Sequence, residues 1–243
     1  MRVLHVIMPM AGEGSRFLKA GWITPKPLIE LNGQPLFKHA ISSVFAPDIP
    51  MKYSFIVRQE HIEKYAIDKG IMSFLPSANI FSVLKTTCGA VETCLMAEKA
   101  IDDEDSIIVM DCDLEFRSRK FLEIIREILA QPVDKAEGGA LVSFNSSEPK
   151  YSYAAIDDDG LVTRTAEKEV ISNHALCGAY FFSTGWRFKQ IAHQLLNEPD
   201  FKKPEYYVSL LYNYMLQNGE KVHMATMEEY YSYGTPEELG RYL

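Results

Sequence analysis

The chain alternates between short apolar runs and longer segments of mixed polarity. Apolar runs rich in β-branched residues predict strands at 3–8, 53–57, 80–84, 106–110 and 140–144. Apolar residues at three- and four-residue steps predict helices at 36–45, 61–68, 90–101 and 119–130. Such alternation is typical of an α/β fold with a mostly parallel, Rossmann-like central sheet and helices on both faces.

The pattern changes after residue 145. Two strand-like runs, 153–157 and 161–165, flank Asp158-Asp159-Gly160, a sequence typical of a hairpin turn. The remaining elements are predicted as strands at 175–183 and 221–226 and helices at 186–196, 205–217 and 236–243. We predict a single domain over 1–243, with halves 1–145 and 146–243 and a small β-rich insertion in the second half.

Composition and charge exclude some classes of partner. The chain has 243 residues and a formal net charge of −8, which disfavours a general nucleic-acid or anionic-membrane binder. No apolar run approaches the roughly 18 residues of a membrane span. The four cysteines form no CxxC pair, which indicates free thiols and a cytoplasmic protein.

Cations nevertheless outnumber anions in the first 28 residues, which indicates a small anionic ligand. The first strand leads into PMAGEGSRFLKAGWITPKPL, a glycine-containing turn that can bring backbone N–H groups close to a phosphate. Neither the dinucleotide fingerprint GxGxxG nor the phosphate loop GxxxxGK[ST] is present. Prolines on both sides of Lys26 stiffen its segment, so its ammonium can be held at a fixed point over a triphosphate.

Asp111 and Asp113 end the strand predicted at 106–110. Side chains alternate along an extended strand, so both carboxylates should point the same way and suit a hard cation that takes oxygen ligands. The same three residues, Asp111-Cys112-Asp113, also match the DxD metal motif of glycosyltransferases.

Together, PMAGEGSRF and TPKPLIELNGQPL resemble the signature of nucleotidyltransferases that activate sugar phosphates, the glucose-1-phosphate thymidylyltransferase-like family. The resemblance implies the nucleotide-diphospho-sugar transferase fold, with a nucleotide-binding half at 1–145 and an acceptor-binding half at 146–243. It implies that Arg16 and Lys26 neutralise the nucleotide phosphates and that Asp113, with Asp111, binds Mg²⁺. The implied nucleotide contacts are Met10, Ala11, Gly12, Gly14, Ser15 and Gly89.

Further matches lie in the second half of the chain. Ala166-Glu167-Lys168 is similar to the family's acceptor element, in which the Glu contacts a sugar hydroxyl and the Lys holds the acceptor phosphate. Gly139 and Asn173 are the other acceptor contacts that the resemblance implies. One residue departs from the pattern: Ser232 stands where many members carry a second metal-binding Asp, two residues before the closing Gly-Thr.

The resemblance implies transfer of a nucleoside monophosphate from a triphosphate to a phosphorylated acceptor, foremost a sugar 1-phosphate, with release of pyrophosphate. Three alternatives stay open: a cytidylyltransferase for a non-sugar phosphate or phosphonate, a GT-A-type glycosyltransferase, and a non-catalytic nucleotide sensor. The sequence leaves the base, the acceptor and the formation of a homo-oligomer undecided.

Overall fold

A computed structural model describes residues 2–198 and 201–243 of the chain. Its strands are β1 Leu4–Met10, β2 Glu30–Leu31, β3 Gln34–Pro35, β4 Met51–Arg58, β5 Asn79–Val83, β6 Ser106–Met110, β7 Leu114–Arg117, β8 Gly139–Asn145, β9 Ser152–Ile156, β10 Val162–Glu167, β11 His174–Phe182, β12 Val222–Thr226 and β13 Glu229–Ser232. Its α-helices are α1 Ser15–Lys19, α2 Leu36–Val44, α3 Gln59–Tyr65, α4 Ile67–Phe74, α5 Ala90–Leu95, α6 Arg119–Ala130, α7 Gly185–Leu196, α8 Leu211–Gln217 and α9 Pro236–Leu239.

The central sheet combines a parallel part with a part in which strand direction reverses. Strands β6, β1, β4 and β5 are adjacent in that order and parallel. Strand β11 lies antiparallel to β6 and to β8, and β8 is parallel to β12. The β9–β10 hairpin joins the start of β11. The prediction of a mostly parallel sheet covered by helices is therefore confirmed.

The reversal at β11 determines where a site can form. Ala179 of β11 pairs with Met110 at the carboxyl end of β6, so the start of β11 reaches the same edge as the ends of β1 and β6. Ligands of open α/β sheets bind outside the carboxyl ends of the strands. That edge therefore gathers the loop after β1, the acids after β6 and the first residues of β11.

Both faces of the sheet are buried, as the continuous apolar runs of its strands require. In β1, Val6, Met8 and Met10 pack into one core and Ile7 into the other, because successive side chains point to opposite faces. A third and smaller cluster of Phe17, Ile29, Leu31, Leu36, Tyr233 and Leu239 joins the region after β1 to the last helix.

Several element boundaries differ from those that the sequence predicts. The helix predicted at 61–68 is two helices, α3 and α4, separated by Ala66 in the left-handed region at φ 50°. The helix predicted at 205–217 becomes α-helical only at Leu211. The short antiparallel pair β7–β13 was not predicted, because each strand gains its partner from more than 100 residues away. Cys94, Cys112 and Cys177 are buried free thiols, whereas Cys88 is exposed.

Candidate active site

The loop after β1 is shaped by glycine and anchored by an aromatic residue. Gly14 adopts φ 63°, a left-handed conformation that glycine tolerates without strain, and α1 starts at the next residue. Phe17 of α1 is buried and packs edge-to-face on Trp22 at a centroid distance of 5.8 Å. With Phe17 held, Ser15 and Arg16 stay at the exposed mouth of the loop, where they line one surface cavity together with Gly14 and Lys26.

Lys26 lies in a short turn, and its ammonium is held at a fixed point by an acidic partner. A 3₁₀ turn at Lys26–Leu28 follows Pro25, and the Nζ of Lys26 donates to Oδ2 of Asp113 at 2.7 Å. The Lys26 side chain is 26% exposed and that of Asp113 is 17% exposed. Burial by itself would lower the pKa of Lys26, but the Asp113 carboxylate outweighs it and holds that pKa above its usual value.

Asp111 and Asp113 point into the same space, as the sequence predicts. Both line two adjoining cavities of about 260 and about 300 Å³. Asp111 is fixed by its backbone N–H, which donates to the Gly178 carbonyl at 2.9 Å. Burial and the nearby Asp113 carboxylate raise the pKa of Asp111 to about 7, against a smaller opposite effect of Lys26.

Crowded carboxylates of this kind fit a divalent cation. Lys26 alone does not offset both acids, and carboxylate oxygens are the ligands that a hard divalent cation takes. Within residues 2–198 and 201–243, no group of three His, Cys, Asp or Glu side chains is arranged to hold a metal. The protein's share of such a site would thus be Asp113 and Asp111, with phosphate oxygens and water completing it.

The cavity of about 300 Å³ lies between the loop after β1 and the turn after β5, and we refer to it as the first cavity. Its lining includes Ala11, Gly12, Lys26, Thr87 and Gly89. The two sides are connected: Arg58 donates to the Ala11 carbonyl at 3.3 Å and to Oγ1 of Thr86 at 3.0 Å, and Thr86 donates to Glu13 at 2.8 Å. Arg58 carries no motif that would reveal this role from the sequence.

Gly89 is required by a close backbone approach. It lies at φ 145°, and a Cβ added there would be 2.7 Å from the carbonyl oxygen of Tyr206. Tyr206 fixes this turn through two backbone hydrogen bonds. Its N–H donates to the Cys88 carbonyl at 2.9 Å, and its carbonyl accepts from the N–H of Val91 at 3.0 Å. The turn that begins α5 is thereby fixed by a segment more than 100 residues away in the chain.

The cavity of about 260 Å³, the second cavity, lies against β9, β10 and β11. Its lining combines acids, tyrosines and two cationic side chains, including Arg16, Lys150, Glu167, Tyr180, Tyr207, Tyr230 and Glu238. Glu167 is 7% exposed and accepts hydrogen bonds from Ser152 and, at 3.0 Å, from Ser209. Its carboxylate is therefore held in one orientation at the cavity wall.

Lys168 lies outside the lining of the second cavity, at its rim beside Tyr207. Its backbone is in the left-handed region at φ 55°, which is uncommon for a residue other than glycine. Its Nζ donates to the hydroxyl of Tyr207 at 2.9 Å, a bond that raises the pKa of Lys168. The strained backbone turns this ammonium toward Tyr207, which itself lines the cavity.

Three of the residues implied by the resemblance lie elsewhere. Gly139 pairs with Phe182, which also pairs with Ile107 near the amino end of β6, so the structure places it at the opposite edge of the sheet. Gly139 is packed against the Phe181 carbonyl. This placement corrects the prediction that Gly139 contacts the acceptor. The Met10 side chain is buried in the core, and Asn173 is exposed before β11, outside the lining of the second cavity.

Ser232 does not face the acids as a free ligand. Its hydroxyl donates to Oε2 of Glu238 at 2.8 Å, and Oε1 of Glu238 accepts from Lys150 at 2.7 Å. Sequence reasoning missed Lys150 and Glu238, since a lysine in a polar loop and a glutamate in the first turn of a helix are both ordinary surface patterns.

A glycine turn, a clamped lysine and paired carboxylates after β6 surround two adjoining cavities, an arrangement that suits a ligand with phosphate groups. The chain belongs to the nucleotidyl transferase family, whose model matches residues 5–237. It is therefore a nucleotidyltransferase, with the sheet and helices of the sugar nucleotidyltransferases.

Solved structures with the same fold cover nearly the whole chain. A nucleoside-diphosphate-sugar pyrophosphorylase from Vibrio cholerae is 27% identical, with a TM-score of 0.82 over 98% of this chain and 99% of that one. A Bacillus anthracis protein assigned as a glucose-1-phosphate thymidylyltransferase is 20% identical, with a TM-score of 0.74 over 98% and 93%. The inositol-1-phosphate CTP transferase of T. maritima is 13% identical, with a TM-score of 0.72 over 98% and 91%.

None of the helices within 2–198 and 201–243 has the length and apolar character needed to span a membrane.

Proposed function

We propose that the protein joins a nucleoside triphosphate to a sugar 1-phosphate, giving a nucleoside-diphosphate sugar and pyrophosphate. The observation that carries this proposal is the Lys26–Asp113 pair at the junction of two cavities, both lined by Asp111 and Asp113. We assign the first cavity, in the half 1–145, to the nucleotide. The second cavity, in the half 146–243, takes the acceptor.

In this arrangement an oxygen of the acceptor phosphate attacks the α-phosphorus in line, and the bond to pyrophosphate breaks on the opposite side. The nucleophile is already ionised, so no general base is needed. Lys26 and Arg16 stabilise the charge on the transferring and leaving phosphates, while backbone N–H groups around Gly12, Gly14 and Ser15 orient them. When bound at Asp113 and Asp111, Mg²⁺ neutralises phosphate charge.

Holding two anions together is the main task of such a site. Glu167, fixed by two serine hydroxyls, is suited to accept a hydrogen bond from a sugar hydroxyl. Lys168 at the rim is suited to bind the acceptor phosphate. The three buried free thiols support a reducing compartment, and we propose the cytoplasm.

A second acceptor class has support from the lining of the second cavity. Tyr151, Tyr180, Tyr207 and Tyr230 all face it. Aromatic faces bind quaternary ammonium groups, so a phosphocholine-type acceptor fits the same cavity. A neighbour of the same fold is itself a CTP transferase for a non-sugar alcohol phosphate.

A pyrophosphate-release screen tests the proposal. Five nucleoside triphosphates are combined with pooled sugar 1-phosphates, phosphocholine and phosphonates. Release with a sugar 1-phosphate is the expected result, and release with phosphocholine alone would favour the second class. Triphosphate binding without turnover on any acceptor would instead favour a nucleotide sensor. Glycosyl transfer from a nucleotide sugar, with no pyrophosphate release, would favour a glycosyltransferase.

Replacing Lys168 with alanine is expected to raise the acceptor KM more than the triphosphate KM. The change removes a charge-assisted contact worth roughly 1.5–3 kcal/mol, which corresponds to about tenfold or more in affinity. Steady-state kinetics with each substrate varied in turn measure the effect. A loss confined to triphosphate affinity would place Lys168 on the nucleotide side.

A further inference from the structure

Lys150 is a lysine of the second cavity to which the family resemblance gives no role. It lies between β8 and β9, and its Nζ is 2.7 Å from Oε1 of Glu238 and 2.9 Å from Oε2 of Glu148. The same ammonium is 4.8 Å from the ring centroid of Tyr151. The side chain lines the second cavity but remains 41% exposed, so a ligand that enters the cavity can reach it.

Glu238 reaches this lysine from the last helix. Thr235 caps α9 by accepting the N–H of Glu238 at 3.2 Å, while the Glu238 side chain extends into the cavity wall and is nearly buried. A Cβ added at Gly234 would be 3.3 Å from both Asp113 Oδ2 and Glu238 Oε2. Glu238 therefore brings a carboxylate close to Asp113, although position 232 offers only a hydroxyl.

The negative charge of the Glu238 carboxylate is compensated at the cavity wall. One oxygen accepts from Ser232 and the other from Lys150, so the pair adds an ammonium to the wall beside Asp113. Burial by itself would lower the pKa of Lys150, but the hydrogen bonds that its ammonium donates to Glu238 and Glu148 raise it, which keeps the ammonium charged.

The donors of Lys150 leave capacity for a ligand. An ammonium has three N–H donors, and Glu238 and Glu148 accept two of them. Among the lining side chains of the second cavity, the lysines and arginines are Arg16 and Lys150, against the acids Asp111, Asp113, Glu167 and Glu238. Lys150 is therefore the lining cation that is left for a phosphate dianion in this cavity, since we assign Arg16 to the triphosphate and Lys168 stands at the rim.

On the basis of the proposed function, we propose that Lys150 binds the acceptor's phosphate monoester from inside the cavity and that Glu238 is the residue that positions it. Ser232 contributes by holding the second oxygen of Glu238. Lys150 and Lys168 then grip the phosphate from two directions, which orients one oxygen toward the α-phosphorus. The position that carries a metal-binding Asp in many relatives serves here to fix a lysine.

The test compares Lys150→Met and Lys150→Arg with Glu238→Gln. Lys52→Met is the matched control, because Lys52 also pairs with two acids, Asp102 at 2.9 Å and Asp105 at 3.4 Å, but lies at the opposite edge of the sheet. Lys150→Met should raise the acceptor KM about tenfold or more, as expected for a charged hydrogen bond. The triphosphate KM should change less than about twofold. Lys150→Arg should recover part of the loss, and Glu238→Gln should give an intermediate rise in acceptor KM.

A second measurement is independent of turnover. Inorganic phosphate is titrated into each protein in EDTA and its binding is followed by ³¹P line broadening. Lys150→Met should weaken the binding while Lys52→Met leaves it unchanged. Equal behaviour of these two variants, or a loss limited to triphosphate affinity, would overturn the inference. If Lys150→Met lowers the melting temperature, the comparison with Lys52→Met is made with Glu238→Gln and Lys150→Arg as the folded variants instead. Absence of pyrophosphate release from the wild type would refute the proposed function, while the phosphate titration would still report on Lys150.

Discussion

Replacing Lys26 with alanine is expected to lower kcat by about 100-fold to 1,000-fold, the usual cost of removing one preorganised donor from a site where charge develops. Its ammonium lies 2.7 Å from Asp113 at the junction of the two cavities, where we place the transferring phosphate. Arg16→Ala should also lower turnover strongly, because Arg16 lines the second cavity as well as the mouth of the loop. Pyrophosphate release at saturating substrates measures both.

Lys189→Ala is the matched control for Lys26→Ala. Lys189 makes an ion pair of the same length, 2.7 Å to Asp103, and its side chain is 21% exposed, but it lies on α7 away from both cavities. Circular dichroism should show a native fold for all three variants, since none of these side chains belongs to the apolar core. Turnover of the Lys26 variant equal to that of the Lys189 variant would show that Lys26 has no catalytic role.

The second large effect is expected at Asp113. Asp113→Asn should raise the Mg²⁺ concentration for half-maximal turnover at least about tenfold, because it removes a carboxylate ligand and metal affinity responds by that much even to outer-shell changes. Ser232→Ala should leave the Mg²⁺ dependence nearly unchanged, because the Ser232 hydroxyl donates to Glu238 at 2.8 Å. Mg²⁺ titrations of turnover compare the two variants.

Asp113 also accepts from Lys26, so Lys26→Ala serves as the control for loss of that ion pair. It should lower turnover without increasing the requirement for Mg²⁺. Large and equal increases for Asp113→Asn and Ser232→Ala would mean that Ser232 is a metal ligand, and the assignment of the metal to Asp113 and Asp111 alone would be abandoned.

The parts of the candidate site that the sequence predicts are those encoded locally. Two prolines stiffen the segment around Lys26, and Asp111 and Asp113 directly follow the buried strand β6. The structure adds the partner of each group, above all the 2.7 Å contact between Lys26 and Asp113.

Elements that depend on distant partners could not be predicted. Lys150 meets Glu238 across 88 positions of sequence, and neither residue stands out in its own segment. The family resemblance implies Gly139 as an acceptor contact, but no sequence pattern shows which end of β8 faces the site. Which end of β8 faces the site depends on the reversal of strand direction at β11, and that reversal is a property of the whole sheet.

The small cluster of Phe17, Leu31, Leu36, Tyr233 and Leu239 has a consequence for the order in which the protein matures on the ribosome. Synthesis proceeds from the amino terminus, so the loop with Arg16 emerges early. Tyr233 and Leu239, which pack in the same cluster as Phe17 of that region, are added much later. The parallel strands β1, β4, β5 and β6 can pair long before that moment. We therefore expect pairing of these parallel strands to precede completion of the site, which also requires Tyr233 and Leu239 to pack against Phe17.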